Sequence, residues 1–519
     1  MRAWSFLLPL PIALTSTLAC GRERAAAAGG GLAYYETYDP RSLDPALSTD
    51  VPTGEMVTCL FDGLTQFDAD GRLLPGLADR WTVERGGLRY LFHLRAGVKF
   101  HNGRPVTAAD VRASFLRVLD PATTGGRAWP LLPIAGAQEY AARQAADVRG
   151  IQLLGDTAVA IELTEPLAVF PKFLAMAVAA IVPAPTPQDF GQHPVGSGPW
   201  TFVRWQHDDY LIFARNPDYW GGAPRADTFV VRILPEPLTQ SAEFDAGRLS
   251  VVEVPFGETA RWEREHPDLL VRKPGLRAVY VAMNVRRGPL QDVRVRQAIN
   301  YAVNVPEILQ TVWSGRGVIA RGAVPPSLPG GDTTRRGYDY DPARARQLLA
   351  AAGYANGLDL ELWRTATNVS LARVAQAVQA DLEKVGIRVT IVDREAASMR
   401  EAARSGKADL ALLDWWADYP DAENFLYPLF FSGNAGTGGN YSFYHDPETD
   451  SLLVRARRTL GDSARVALYR RIDERVYRAA PWLYLWFPVE LWAHRPDVQG
   501  WDFPLIFTGQ RWTGVRRTM

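Results

Sequence analysis

Two cysteines in 519 residues, Cys20 and Cys59, exclude a disulfide framework, so the chain must hold itself together by packing alone. Net charge is missing as well. The 57 Lys and Arg balance the 57 Asp and Glu, which removes the general electrostatic ground for a nucleic-acid partner or an anionic surface. Beyond the first 20 residues no apolar run is long enough to cross a bilayer. Catalytic signatures are scarce: Gly406-Lys407 is followed by Ala408 and makes no Walker loop, and neither H-E-x-x-H nor G-x-S-x-G occurs. The seven histidines, at 93, 101, 193, 207, 266, 445 and 494, form no pair at metal-ligand spacing. We therefore expect no catalytic residue, no metal and no cofactor, although a triad assembled from distant segments would leave no such trace.

What the sequence does have is aromatic residues, and they concentrate around a carboxylate. Residues 410–413 are an apolar run that reads as a buried strand; it leads into Asp414-Trp415-Trp416-Ala417-Asp418-Tyr419-Pro420-Asp421. A carboxylate beside indole faces is poorly hydrated and needs a cation or several hydrogen-bond donors. A ligand ammonium would serve at Asp418. The plainer reading is that Asp418 begins a turn, Asp421 caps a helix from Ala422, and the tryptophans are core.

The N-terminus reads as a targeting segment, with Arg2 followed by an apolar stretch over 4–14. It ends in Thr17-Leu18-Ala19-Cys20, which resembles a bacterial lipobox except that Thr17 replaces the usual apolar residue. Lipidation at Cys20 is expected, with cleavage by an ordinary signal peptidase as the alternative. Residues 21–31 are rich in Ala and Gly and suit a flexible tether. Cys59, flanked by Val57, Leu60 and Phe61, is expected to be a buried thiol without a function.

The remainder reads as an α/β mixture exceeding a single core. Residues 88–95 nearly alternate apolar and polar, as a half-buried strand does. Thr107 with Asp110 marks a helix start before the stripe Val111, Phe115, Val118 and Leu119. Further helices are expected from Asp292, from Asp341-Pro342, over 371–385, and from Ser463 to about Ala480, with an alternating strand over 387–391. Helices that run directly into strands imply crossover units and partly parallel sheets. Two turn clusters, Val195-Gly196-Ser197-Gly198-Pro199-Trp200 and Asn216-Pro217-Asp218-Tyr219-Trp220-Gly221-Gly222-Ala223-Pro224, punctuate the middle.

Those two clusters resemble blocks of the family 5 extracellular solute-binding proteins, the peptide-binding components of bacterial ABC importers. So do the run over 90–111, Asn284 with Asp292-Val293-Arg294-Val295-Arg296-Gln297-Ala298-Ile299-Asn300, and Trp416-Ala417-Asp418-Tyr419-Pro420-Asp421, in the family's order across nearly the whole chain. The resemblance implies a periplasmic-binding-protein-like fold, type II and cluster C, with mixed sheets and lobes closing on a cleft. Lobe I would comprise 32–64, 198–277 and 486–519, lobe II 65–197, and lobe III 278–485.

It further implies that Asp418 pairs with the α-ammonium of a bound peptide, whose backbone adds as a strand to 414–416 and about 48–54. Arg364 would bind the peptide carboxylate, its alternative being a solvated arginine at a helix entrance. Trp415, Trp416, Tyr419 and Tyr441 are candidate cleft walls, each with a place in the core as its alternative, and Asp414 stands at the ligand-facing strand end. The implied function is capture of short peptides by a monomeric, lipid-anchored, extracytoplasmic protein that passes them to separate ABC permease and ATPase chains. The alternatives are the same fold binding a metal chelate, oligosaccharide or opine, and an envelope peptidase.

Overall fold

The computed structural model describes residues 31–518 apart from 124, 125 and 437; the expected signal segment and Cys20 lie outside the described residues. Three large sheets organise the rest. Leu32–Glu36, Thr228–Ile233, Tyr210–Arg215 and Trp200–Gln206 lie side by side in that order, the first two parallel and the others antiparallel. A second, wholly antiparallel sheet has the order Ala78–Glu84, Arg89–Leu94, Ala158–Glu162, Ile151–Leu153. The third has eight strands, including Leu358–Thr365 parallel to Ile387–Arg394 across the helix Val369–Glu383, which is the expected crossover.

Local sequence explains most of these elements. In Arg89–Leu94 the side chains of Tyr90, Phe92 and Leu94 are buried while those between are half-buried. The helix Ala108–Leu119 lays Val111, Phe115, Val118 and Leu119 on the same core. Each such side chain contributes about 1.5–3 kcal/mol by leaving water. At its start the Asp110 carboxylate accepts from both the Thr107 N–H and the Thr107 hydroxyl. Asp292 and Asp341 cap Val293–Ala302 and Pro342–Ala351 by accepting from Arg294 N and Arg344 N, each at 2.8 Å. One expected cap is displaced: the helix Asp462–Ala479 starts after Gly461, which puts Ser463 inside its first turn.

The strand Trp482–His494 was not anticipated, because its almost unbroken apolar run has no period and contains Pro488. It is the spine of the third sheet. Its first half pairs with Arg277–Met283 and its second half with Leu270–Pro274 and Val251–Glu253. Pro488 lies where the partners change, next to the Val489↔Pro274 pair. The expected boundary at 485/486 falls within this strand.

The two turn clusters meet at Asp62. Its carboxylate is fully buried and accepts from Ser197 Oγ at 2.8 Å, Tyr219 Oη at 3.1 Å, Trp220 Nε1 at 3.2 Å and Arg511 Nη2 at 2.7 Å. Gly196 is required beside it, since a Cβ there would sit 1.8 Å from the Leu60 carbonyl oxygen. His101 pins the same turn, its Nδ1 accepting from Gly196 N and its Nε2 at 3.0 Å from Gly198 O. Cys59, on the preceding helix turn, is buried, and burial pushes its thiol up out of the reactive range.

Asp62→Ala would leave the Arg511 guanidinium buried without its counter-charge. We expect a loss of about 3–5 kcal/mol in unfolding free energy, read from urea denaturation; a loss under about 1 kcal/mol would mean that solvent replaces the carboxylate.

Candidate functional site

The strand Leu410–Trp416 buries its apolar start and carries Trp415 and Trp416 out at its end. Arg277–Met283 flanks it along its whole length, pairing Arg277 with Trp416 and Val279 with Asp414. On its other side the ladder to Leu358–Thr365 covers only Leu410 and Ala411, so the tryptophan end has strand pairing on one side. There a cavity of about 260 Å³ opens, walled by Trp415, Trp416, Ala417 and Asp418. Facing them are Asp50 and Val51 at the start of the helix Val51–Leu60, residues 176–178 and Arg127 from the second-sheet region, and Phe507 and Thr508.

Asp418 is oriented from both ends of its residue. Its backbone N–H donates to Asn424 Oδ1 at 2.9 Å, and that oxygen also accepts from Trp415 Nε1 at 3.3 Å. Its carboxylate is 15% exposed and lies 2.9 Å from Arg127 Nη1. Burial pushes the Asp418 carboxyl above its ordinary value, and Arg127 opposes that shift. Asp418 therefore already has a cation of this chain against it.

The other expected site residues divide. Trp416 is half exposed; its Nε1 donates to Asp414 Oδ2 at 3.1 Å, and the Arg277 guanidinium lies 4.6 Å from its ring centre. Asp414 does not line the cavity but pairs with Arg277 at 2.7 Å, fixing the plane on which Trp416 rests. Arg364 is also outside the cavity lining. It sits on Leu358–Thr365, pairs with Asp393 at 2.7 Å and donates to Thr365 O at 3.1 Å, so its charge is used within its own sheet. Tyr441 is half-buried against the core that holds Leu413 and Trp415, away from the cavity lining.

Tyr419 is corrected from cleft wall to core. It is 1% exposed, its hydroxyl bonds Glu423, and its ring packs 5.0 Å from Phe173 within the core of the second sheet. Period-based reading misses this because alternation breaks at the turn. Asp421 stands beside it: its Oδ1 accepts from Glu423 N at the start of the helix Glu423–Phe430, as a capping carboxylate does, and its Oδ2 lies 2.7 Å from Lys172. Lys172 also donates to Pro420 O at 2.8 Å. The segment after the cavity is thus bolted to the second-sheet region. Arg127, residues 176–178 and residues 507–508 carried no expectation, since Arg127 lies in a loop and the others lie in or beside the short 3-10 turns Ala177–Ala179 and Phe507–Gly509, none with a motif.

Burial alone would raise the Asp421 carboxyl, but Lys172 and Arg465 hold it below its ordinary value. Its stabilising contribution is therefore complete above the ordinary carboxylate range and disappears as pH falls through the depressed folded value. Lys172→Met should move acid unfolding, followed by circular dichroism, to higher pH; an unmoved transition would show that Arg465 alone suffices.

Comparison with known proteins places this geometry. The profile described as "Bacterial extracellular solute-binding proteins, family 5 Middle" matches residues 72–437. The dipeptide-binding protein of Escherichia coli is 30% identical over 496 residues, 91% of each chain. Heme-binding protein A of Haemophilus influenzae is 31% identical over 82% of this chain and 81% of its own. Among solved structures, the ABC transporter-associated periplasmic binding protein DppA of Helicobacter pylori, in complex with peptide STSA, superposes with a TM-score of 0.79 at 28% identity, covering 94% of this chain and 98% of that one. The mixed sheets are those of the type II periplasmic-binding-protein fold. A family of solute binders rather than of enzymes is thereby identified, and the chain belongs to the bacterial extracellular solute-binding proteins, family 5.

Proposed function

We propose that this protein captures short peptides in the cavity beside Trp415 and Trp416, with the peptide α-ammonium on Asp418, and delivers them to an ABC permease. The observation that carries the reading is a poorly solvated carboxylate at the wall of a cavity assembled from several parts of the chain. Such a group binds a cation with a strength that water would not allow. The strand edge beyond Ala411 suits main-chain pairing with an extended ligand, which is indifferent to side chains. The lobes expected from the sequence supply opposite walls, so ligand contacts are completed as they meet and favour the closed arrangement. Peptide-binding names among the relatives support the ligand class. A non-peptide solute is the second reading, favoured by the heme-binding name of the Haemophilus influenzae relative.

Native mass spectrometry of the purified protein, with identification of any released ligand, tests the choice; short peptides support the first reading and a single non-peptide species the second. Asp418→Asn should weaken binding of unblocked peptides by more than about tenfold, roughly 2–5 kcal/mol for a broken buried pair. N-acetylated peptides should bind the unaltered protein poorly, and equal affinity for blocked and free termini in calorimetry would remove the ammonium role. We also propose a lipid anchor at Cys20. Cys20→Ala should then release the protein from membranes on fractionation, and undiminished retention would refute the anchor.

A further inference from the structure

The carboxylate assigned to the ligand is shared with the chain itself. Arg127 Nη1 lies 2.9 Å from Asp418 Oδ1, and Arg127 is among the residues that line the cavity. Lys172, the other cation nearby in the sequence of the second-sheet region, is committed to Asp421 and to Pro420 O. A ligand ammonium arriving at Asp418 thus meets a pair that is already neutral. Adding it would place a second positive charge on one carboxylate beside Trp415, Trp416 and Met176, with little water to spread it. Exchanging it for Arg127 keeps the charge unchanged.

The two partners are unequally free to make that exchange. The Asp418 side chain is 15% exposed and fixed by its turn, whereas the Arg127 side chain is 39% exposed and reaches in from a loop. Its neighbours Gly126 and Trp129 are packed. Gly126 packs so closely on the Ala46 carbonyl that a Cβ would come within 2.5 Å of its oxygen, and Trp129 packs edge-on at 5.0 Å from Phe173. The guanidinium, already partly in water, can turn further toward solvent and gain hydration as it leaves Asp418.

We propose that Arg127 is an internal competitor for the ammonium position, which a ligand must displace from Asp418 before it can bind. It deepens the peptide reading and rests on it. Arg127 then acts as a specificity-determining residue: a ligand with a free α-ammonium replaces it charge for charge, while a blocked or neutral terminus offers Asp418 no cation in exchange and leaves the internal pair in place. Affinity for unblocked peptides is lower than the pocket alone would give, because part of it is spent on breaking the internal pair.

The test is calorimetric titration of the full protein and of Arg127→Ala, Arg127→Gln and Arg127→Lys with unblocked di-, tri- and tetra-alanine and their N-acetyl forms. Competition predicts that the Ala and Gln variants bind unblocked peptides roughly tenfold or more tighter, that Lys stays near the unaltered protein, and that the N-acetyl forms gain no such advantage. Tighter binding is a result that damage to the fold does not produce, and the Gln variant covers the case in which Ala fails to fold. Unchanged or weaker binding of unblocked peptides by Arg127→Ala and Arg127→Gln overturns the inference and makes Arg127 a bystander or a ligand contact. Failure of the unaltered protein and all variants to bind any unblocked peptide sinks the peptide reading, and the inference with it.

Discussion

The buried Asp62 carboxylate is the constraint on which the arrangement of this protein depends. A charge with no access to water must be answered by donors from inside the chain, and those at Asp62 come from positions as distant as Ser197, Tyr219, Trp220 and Arg511. Satisfying it brings the C-terminal segment against the first helix and the two glycine-rich turns. Residues 507–508, which close the cavity, are only a few positions before Arg511. The same requirement that makes the core costly to break therefore delivers a wall of the site.

Around the cavity the same logic operates at graded exposure. Asp421, almost wholly buried, is answered by Lys172 and backbone donors and acts as a bolt. Asp414, less buried, is answered by Arg277 and sets the plane of Trp416. Asp418 is answered by a single, partly exposed arginine and is the one of the three that lines the cavity. Three carboxylates within eight residues of sequence thus do three different things, and the difference lies in how securely each cation is held.

Much of the fold was legible because its signals are local. The caps at Asp292 and Asp341, the alternating strand Arg89–Leu94 and the crossover from Val369–Glu383 into Ile387–Arg394 follow from spacing within a dozen residues. Trp482–His494 was not legible, since a strand buried on both faces has no period to detect. At the site, residues of the aromatic turn around Asp418 line a cavity, but the roles of their neighbours did not follow from the sequence. Tyr419 and Trp416 are close in sequence and equally aromatic, and only tertiary packing makes one of them core and the other half exposed. Arg127 illustrates the limit most clearly: an arginine in a loop of Gly, Thr and Ala has no pattern, and its partner lies almost three hundred residues away in sequence.

The strand Trp482–His494 serves the packing of three cores at once, its first half lying between the core around Tyr280 and the core around Val281 and its end in the core around Trp200. Cores built on one continuous strand are not joined as by a pin, and any rotation of one against another would have to be taken up as flexure along that strand. Pro488 has no N–H to give to a ladder, and it stands between one set of partners and the next. In this sense the strand is built as a leaf spring rather than as the pin of a door.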